Sequence, residues 1–163
     1  MSVFTIVLVV LFGLEMFEPV HNAVIVPFTN WLAWLSAAII TPFDDNVLFY
    51  GKVLQDARSG FAVSIESGCN GVEATIVLIA AVVAFPASWK SRIVAIGIGF
   101  VAVQVMNIAR IISLFYLGQW NMDVFSFIHL YLWPVLIMLD VMVVFMLYLR
   151  YLSTSRPGQE AAV

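Results

Sequence analysis

The residues able to do chemistry in this chain are few. Cys69, the only cysteine, sits in Gly68-Cys69-Asn70-Gly71, where a polar stretch gives way to an apolar run. A thiol at a helix start is expected to titrate low, because the helix dipole favours the thiolate. Arg110 lies inside a long apolar run, and His129 stands just before the last one. Thiolate, guanidinium and imidazole are the groups acyl transfer needs: a nucleophile, a partner for the oxyanion and a carrier of protons. Each also has a plainer reading. A lone cysteine is often a small buried hydrophobe. An arginine near the end of a span snorkels to the interface, and His129, close to Trp133, suits a membrane edge in its own right.

The elements that must position these residues are membrane segments. Of 163 residues, 63% are hydrophobic and only 10% charged, against roughly 25% charged in soluble domains. The pattern predicts an all-α polytopic membrane protein with about five spans, at 2–17, 23–40, 71–85, 93–117 and 130–149. The first and third are short for a crossing and are expected to tilt or to sit in thinned bilayer. The first is read as a retained segment, since no basic residue precedes it and Glu15 and Glu18 follow. Between the second and third lies a polar region, 41–68. Residues 61–66 alternate apolar and polar there, which predicts a strand paired with 47–50 in a small extracytoplasmic hairpin, with 51–60 as the connection. Residues 1–152 read as a single membrane-embedded domain and 153–163 as a disordered cytoplasmic tail. The net charge of −3 and the absence of a basic cluster give no sign of nucleic acid.

Lys90 and Arg92 fall between the third and fourth segments, and Arg150 and Arg156 follow the fifth. By the positive-inside rule both sites are cytoplasmic. Arg110 lies 18 residues after Arg92, about 27 Å at the helical rise, so it approaches the outer face of a core ~30 Å thick. Cys69 and His129 begin segments on that same face. Three separate segments therefore bring the three groups to one depth. Glu73, four residues after Cys69, is expected to pair with Arg110 or orient the site, or simply to favour a helix start. Asn107 is expected to hold the guanidinium from one turn away. Asp140 falls near mid-membrane and must be protonated, paired or facing water. His21 has no supporting neighbour and reads as a turn residue. One cysteine excludes a disulfide and a cysteine metal cage, and no metal or organic cofactor is expected.

The blocks Gly68-Cys69-Asn70-Gly71-Val72-Glu73-Ala74, Asn107-Ile108-Ala109-Arg110 and His129-Leu130-Tyr131-Leu132-Trp133 together resemble the exosortase/archaeosortase family. The stretches Ala84-Phe85-Pro86-Ala87-Ser88-Trp89-Lys90 and Leu114-Phe115-Tyr116-Leu117-Gly118 look like the exosortase H subtype. The resemblance implies a multi-pass membrane cysteine transpeptidase in a bacterial inner membrane, its active site facing the periplasm. It implies Cys69, Arg110 and His129 as the catalytic set, with Asn70, Glu73 and Asn107 around them. Archaeosortases carry a second arginine where this chain has His129, which places it on the exosortase side. The implied substrates are secreted proteins ending in a short motif, Ile-Pro-Thr-Leu-like for the H subtype, then a hydrophobic span and a basic cluster. Many exosortases are longer and carry more spans.

Two other classes fit the composition. A non-catalytic membrane subunit or small transporter component would use Arg110 and Asp140 to line a polar path. A membrane serine protease built on Ser67 lacks a matching serine–histidine pattern.

Overall fold

The computed structural model describes residues 2–154. Five helices and one small sheet make up the described residues. Helix α1 is Ser2–Met16 and α2 is Glu18–Ile40; strands β1 (Val47–Tyr50), β2 (Val53–Asp56) and β3 (Ala62–Ser64) follow; then come α3 (Val72–Ala84), α4 (Trp89–Trp120) and α5 (Met122–Thr154). Three of the helices, α2, α4 and α5, are long and apolar enough to cross a membrane. The expectation of about five spans is corrected here. Helices α1 and α3 have 15 and 13 residues, about 22 and 20 Å at the helical rise, well short of a core ~30 Å thick. Helix α3 instead fills the interior, packed against α1, α4 and α5, with Leu78, Ala80 and Val82 fully enclosed. The large apolar residues left on the outside, such as Ile93, Val101 and Val105 of α4 and Val135, Met138 and Met142 of α5, face where lipid must lie.

The helix boundaries follow local chemistry. Helix α3 stops where Pro86 forces Phe85 into extended backbone. Ser88 caps α4, its hydroxyl accepting from the Ser91 N–H at 3.4 Å. Asn121 caps α5, accepting from the N–H groups of Asp123 (2.8 Å) and Val124 (3.2 Å). Both α2 and α5 contain a widened π turn, at His21–Ile25 and Ile128–Leu132. Each closes just before a proline, Pro27 or Pro134. A proline inside a helix lacks an N–H and crowds the carbonyl four residues back, and a π turn absorbs both defects. His21 is thus a helical residue rather than part of a connecting turn, and His129 sits within a π turn.

The predicted hairpin is a three-stranded antiparallel sheet in the order β1-β2-β3. Residues 51–60 are not one connection. Gly51, at φ 56°, opens a two-residue turn after β1, the position where tight hairpins favour glycine. The chain then runs through β2 before turning again at 57–60. There the Asp56 carboxylate accepts from the Arg58 and Ser59 N–H groups and from the Ser59 hydroxyl. Leu54 and Ile65 join Leu32, Ala37, Ile111 and Phe115 in one apolar core that seats the sheet on α2 and α4. A second core joins α3, α4 and α5 through Leu78, Val103 and Ile137. At the other end, α5 includes Ser153 and Thr154; the rest of the expected tail, 155–163, lies outside the described residues.

Candidate active site

The loop between the sheet and α3 carries the cysteine. Cys69 N–H donates to the Glu66 carbonyl at 2.9 Å, which folds the loop back on itself. Asn70 is fully buried. Its side-chain oxygen accepts from Val72 N–H at 3.1 Å, and its amide donates to Thr29 Oγ1 of α2 at 3.2 Å. Gly71 adopts φ 76°, and a Cβ there would stand 2.9 Å from Gln104 Nε2, so only glycine fits without strain. Asn70 therefore anchors the loop to α2 and starts α3, while its neighbour Cys69 lines a cavity.

Arg110 meets the cysteine. Its Nη2 donates to Cys69 Sγ at 3.4 Å and its Nη1 to the Gly68 carbonyl at 3.5 Å. Arg110 as a residue is 6% exposed, and among the described residues the one ion pair is Lys52–Glu66 at the surface. Arg110 is a buried cation without a carboxylate partner. A charge in that position is costly unless something anionic faces it, and the Cys69 sulfur is the group placed to become that anion when the thiol ionises. At 3.4 Å and an effective dielectric near 20, the attraction between a thiolate and the guanidinium is about 5 kcal/mol.

His129 lines the same cavity as Cys69 and Arg110, a space of about 320 Å³ bounded also by β3, Ile111, Leu114, Met122 and Phe125. Its ring stacks on Phe125, with centroids 5.6 Å apart and planes at 11°. It makes no hydrogen bond to Cys69 or Arg110, and its buried Nδ1 has no partner. The cavity thus brings three of the six sequence-selected residues together, two in contact and the third across an open space.

Two expected supporting contacts are replaced by others. Asn107 is fully buried but does not hold the guanidinium. It donates to Gln104 Oε1 at 3.5 Å, and its carbonyl oxygen has no partner. Three residues along a helix differ by about 60° in direction, enough to turn Asn107 towards Gly71 while Arg110 faces the cysteine loop. Glu73 does not bond Arg110 either. Its carboxyl lies beside that of Glu15, at the end of α1. Asp140 lies outside the cavity, with one carboxyl oxygen unpartnered. Three residues to which sequence gave no role in the site hold it. Trp133 Nε1 donates to Ser113 Oγ at 3.1 Å, and Ser113 Oγ donates to the Arg110 carbonyl at 2.9 Å, fastening α5 beside Arg110. Glu15, a carboxyl closing an apolar run, was the visible signal for the third.

The electrostatics also correct the expectation for the thiol. Burial pushes the Cys69 thiol above its ordinary range; Arg110 pulls it down, and Glu73 and Glu66 add to the rise. Cys69 precedes the first residue of α3 by three positions, so the helix dipole acts on it weakly. The resting group is a thiol at neutral pH. The alkylation rate of Cys69 by iodoacetamide should therefore climb with pH through a midpoint above the ~8.5 of a free cysteine. A midpoint below that value, read from the pH profile of labelling, would contradict the balance drawn here.

A protein-family model described as transmembrane exosortase (Exosortase_EpsH) matches residues 1–149. No curated protein matches the chain, and no solved structure does.

Proposed function

Because the chain belongs to the transmembrane exosortase family, we propose that it is a membrane-embedded cysteine transpeptidase, most like the exosortase H subtype, that cleaves the C-terminal sorting tails of secreted proteins. One observation carries the reading: the sole cysteine is the partner of a buried guanidinium that has no carboxylate, on the wall of a cavity His129 also lines. In this reading residues 1–152 act as one domain in the bacterial inner membrane, and the cavity opens to the periplasm.

Substrate enters with its scissile carbonyl against Cys69. The thiol proton passes to His129 as sulfur bonds to the carbonyl carbon. The closing of that gap follows substrate binding, since catalytic hydrogen bonds are commonly long until the site is filled. The carbonyl electrons move onto oxygen, and Arg110 stabilises the oxyanion. Collapse expels the tail as an amine, which takes the proton from His129 and leaves a thioester on Cys69. An acceptor amine, another nucleophile or water then gives a proton to His129, attacks the thioester and releases the cysteine, which recovers its proton. Asn70 positions the loop, and Asn107 and Glu73 support the start of α3. No step requires a metal or an organic cofactor.

The test is capture of the acyl-enzyme. Protein in lipid nanodiscs, mixed with a tailed substrate and acid-quenched early, should yield a Cys69-containing peptide whose added mass is the substrate's N-terminal portion, lost on hydroxylamine treatment. Rapid cleavage with no such adduct at any time point would sink the covalent reading. A transporter component with a polar path from Arg110 to Asp140 fits less well, because Asp140 lies outside the cavity.

A further inference from the structure

The sheet ends in an open edge that runs along the cavity wall. Strand β3 pairs with β2 with Leu54 opposite Val63. In antiparallel pairing, successive residues send their backbone groups to opposite sides. Asp56 N–H donates to the Phe61 carbonyl and Ile65 N–H to the Lys52 carbonyl, both at 2.9 Å. The backbone groups of Phe61, Val63 and Ile65 therefore face β2, and those of Ala62 and Ser64 face away. β3 is the last strand in the sheet order, both residues are exposed, and among the described residues no backbone group pairs with the outward side. Such an edge is a template for another strand. Every residue from 61 to 66 lines the cavity shared by Cys69, Arg110 and His129, and the thiol follows five residues after the last residue of β3.

We propose that this edge is the substrate-docking site: an extended polypeptide segment adds to β3 as a fourth strand, hydrogen-bonded to the backbone of Ala62 and Ser64, and is thereby led to Cys69. This rests on the transpeptidase reading above. The occupant is an extended peptide because the edge offers donors and acceptors about 7 Å apart, the two-residue repeat of a strand. A helix keeps its backbone groups for itself. Side chains of the added strand alternate in direction, so every second one meets the apolar wall of Leu114, Met122 and Phe125 across the cavity. Backbone pairing supplies affinity and that wall supplies selectivity, the usual division of labour in strand addition. The edge is held ready: Phe61 packs edge-on to Phe125 at 6.2 Å, and Ser64 Oγ donates to Glu66 at 2.7 Å.

The experiment has an enzyme arm and a substrate arm, both with the full chain in nanodiscs. Ala62→Pro and Ser64→Pro each delete one outward donor that β2 does not use, a substitution edge strands accept. Each should slow cleavage of a tailed substrate at least tenfold while iodoacetamide still labels Cys69. The substrate arm uses the unmodified protein. A ten-residue peptide containing Ile-Pro-Thr-Leu should protect Cys69 from iodoacetamide. Single amide-to-ester replacements should weaken protection about fivefold at alternate positions, one lost hydrogen bond each, and less than twofold in between. A flat ester scan, no protection up to millimolar peptide, or unchanged cleavage in both proline variants overturns the docking site. Cleavage by Cys69→Ala would instead overturn the transpeptidase reading, and the ester scan, which measures binding alone, does not depend on it.

Discussion

Cys69→Ala abolishes cleavage of a tailed substrate, with a fall of roughly three to six orders of magnitude, the range seen when a catalytic nucleophile is removed. No second thiol exists to take over. Alanine also leaves Arg110 with the Gly68 carbonyl as its hydrogen-bond acceptor, so the guanidinium loses one of its two partners. Cys69→Ser separates the two effects. Serine keeps a polar acceptor near the guanidinium but is a far weaker nucleophile, so it should restore thermal stability without restoring cleavage. Processing is read by the size of the substrate on gels, and folding by the melting of the purified protein. Normal processing in Cys69→Ala would end the assignment of this residue as nucleophile.

Arg110→Lys has the second largest expected effect, a fall in kcat of about 10²–10³-fold with little change in KM, as for loss of one oxyanion donor. Arginine reaches the Gly68 carbonyl and the sulfur with two nitrogens of one plane. Lysine offers a point charge on a flexible stem and cannot hold both directions at once. Arg110→Ala goes further. Since the guanidinium lowers the thiol pKa against burial, its loss should move the alkylation midpoint still higher and slow labelling near neutral pH. Wild-type kcat in Arg110→Lys would mean that a positive charge alone suffices. An unmoved labelling profile in Arg110→Ala would separate the guanidinium from the thiol altogether.

That Cys69 and Arg110 share one level was legible in the sequence, because level along a helix depends on rise alone; that they touch was not. Helical rise is fixed, and 18 residues from Arg92 put Arg110 at the level of the cysteine loop. The neighbours of that pair depend on rotation, which one chain does not encode locally. Asn107 and Arg110 share a side of α4 on a helical wheel, yet 60° is enough to send them to different partners. Glu73 has the right offset from Cys69 to serve the site, but α1 places Glu15 against it. The pairing of Glu15 with Glu73 comes from tertiary packing between two helices far apart in sequence. Strand β2 was missed because its four residues carry too few alternations to stand out, although Gly51-Lys52 had the form of a tight turn. The thiol pKa was misjudged because proximity to a helix start is visible in sequence while burial is not.

Phe61 lies over Gly118, where a Cβ would overlap its ring. That contact is a keyed joint: the bulky residue of the sheet fits because the helix residue opposite has no side chain. Anyone exchanging the sheet between relatives to retarget the enzyme must therefore move residues 61 and 118 as a pair. A graft that brings a large residue to 61 onto a helix without glycine at 118 would tip the strand away from α4 and carry the docking edge with it.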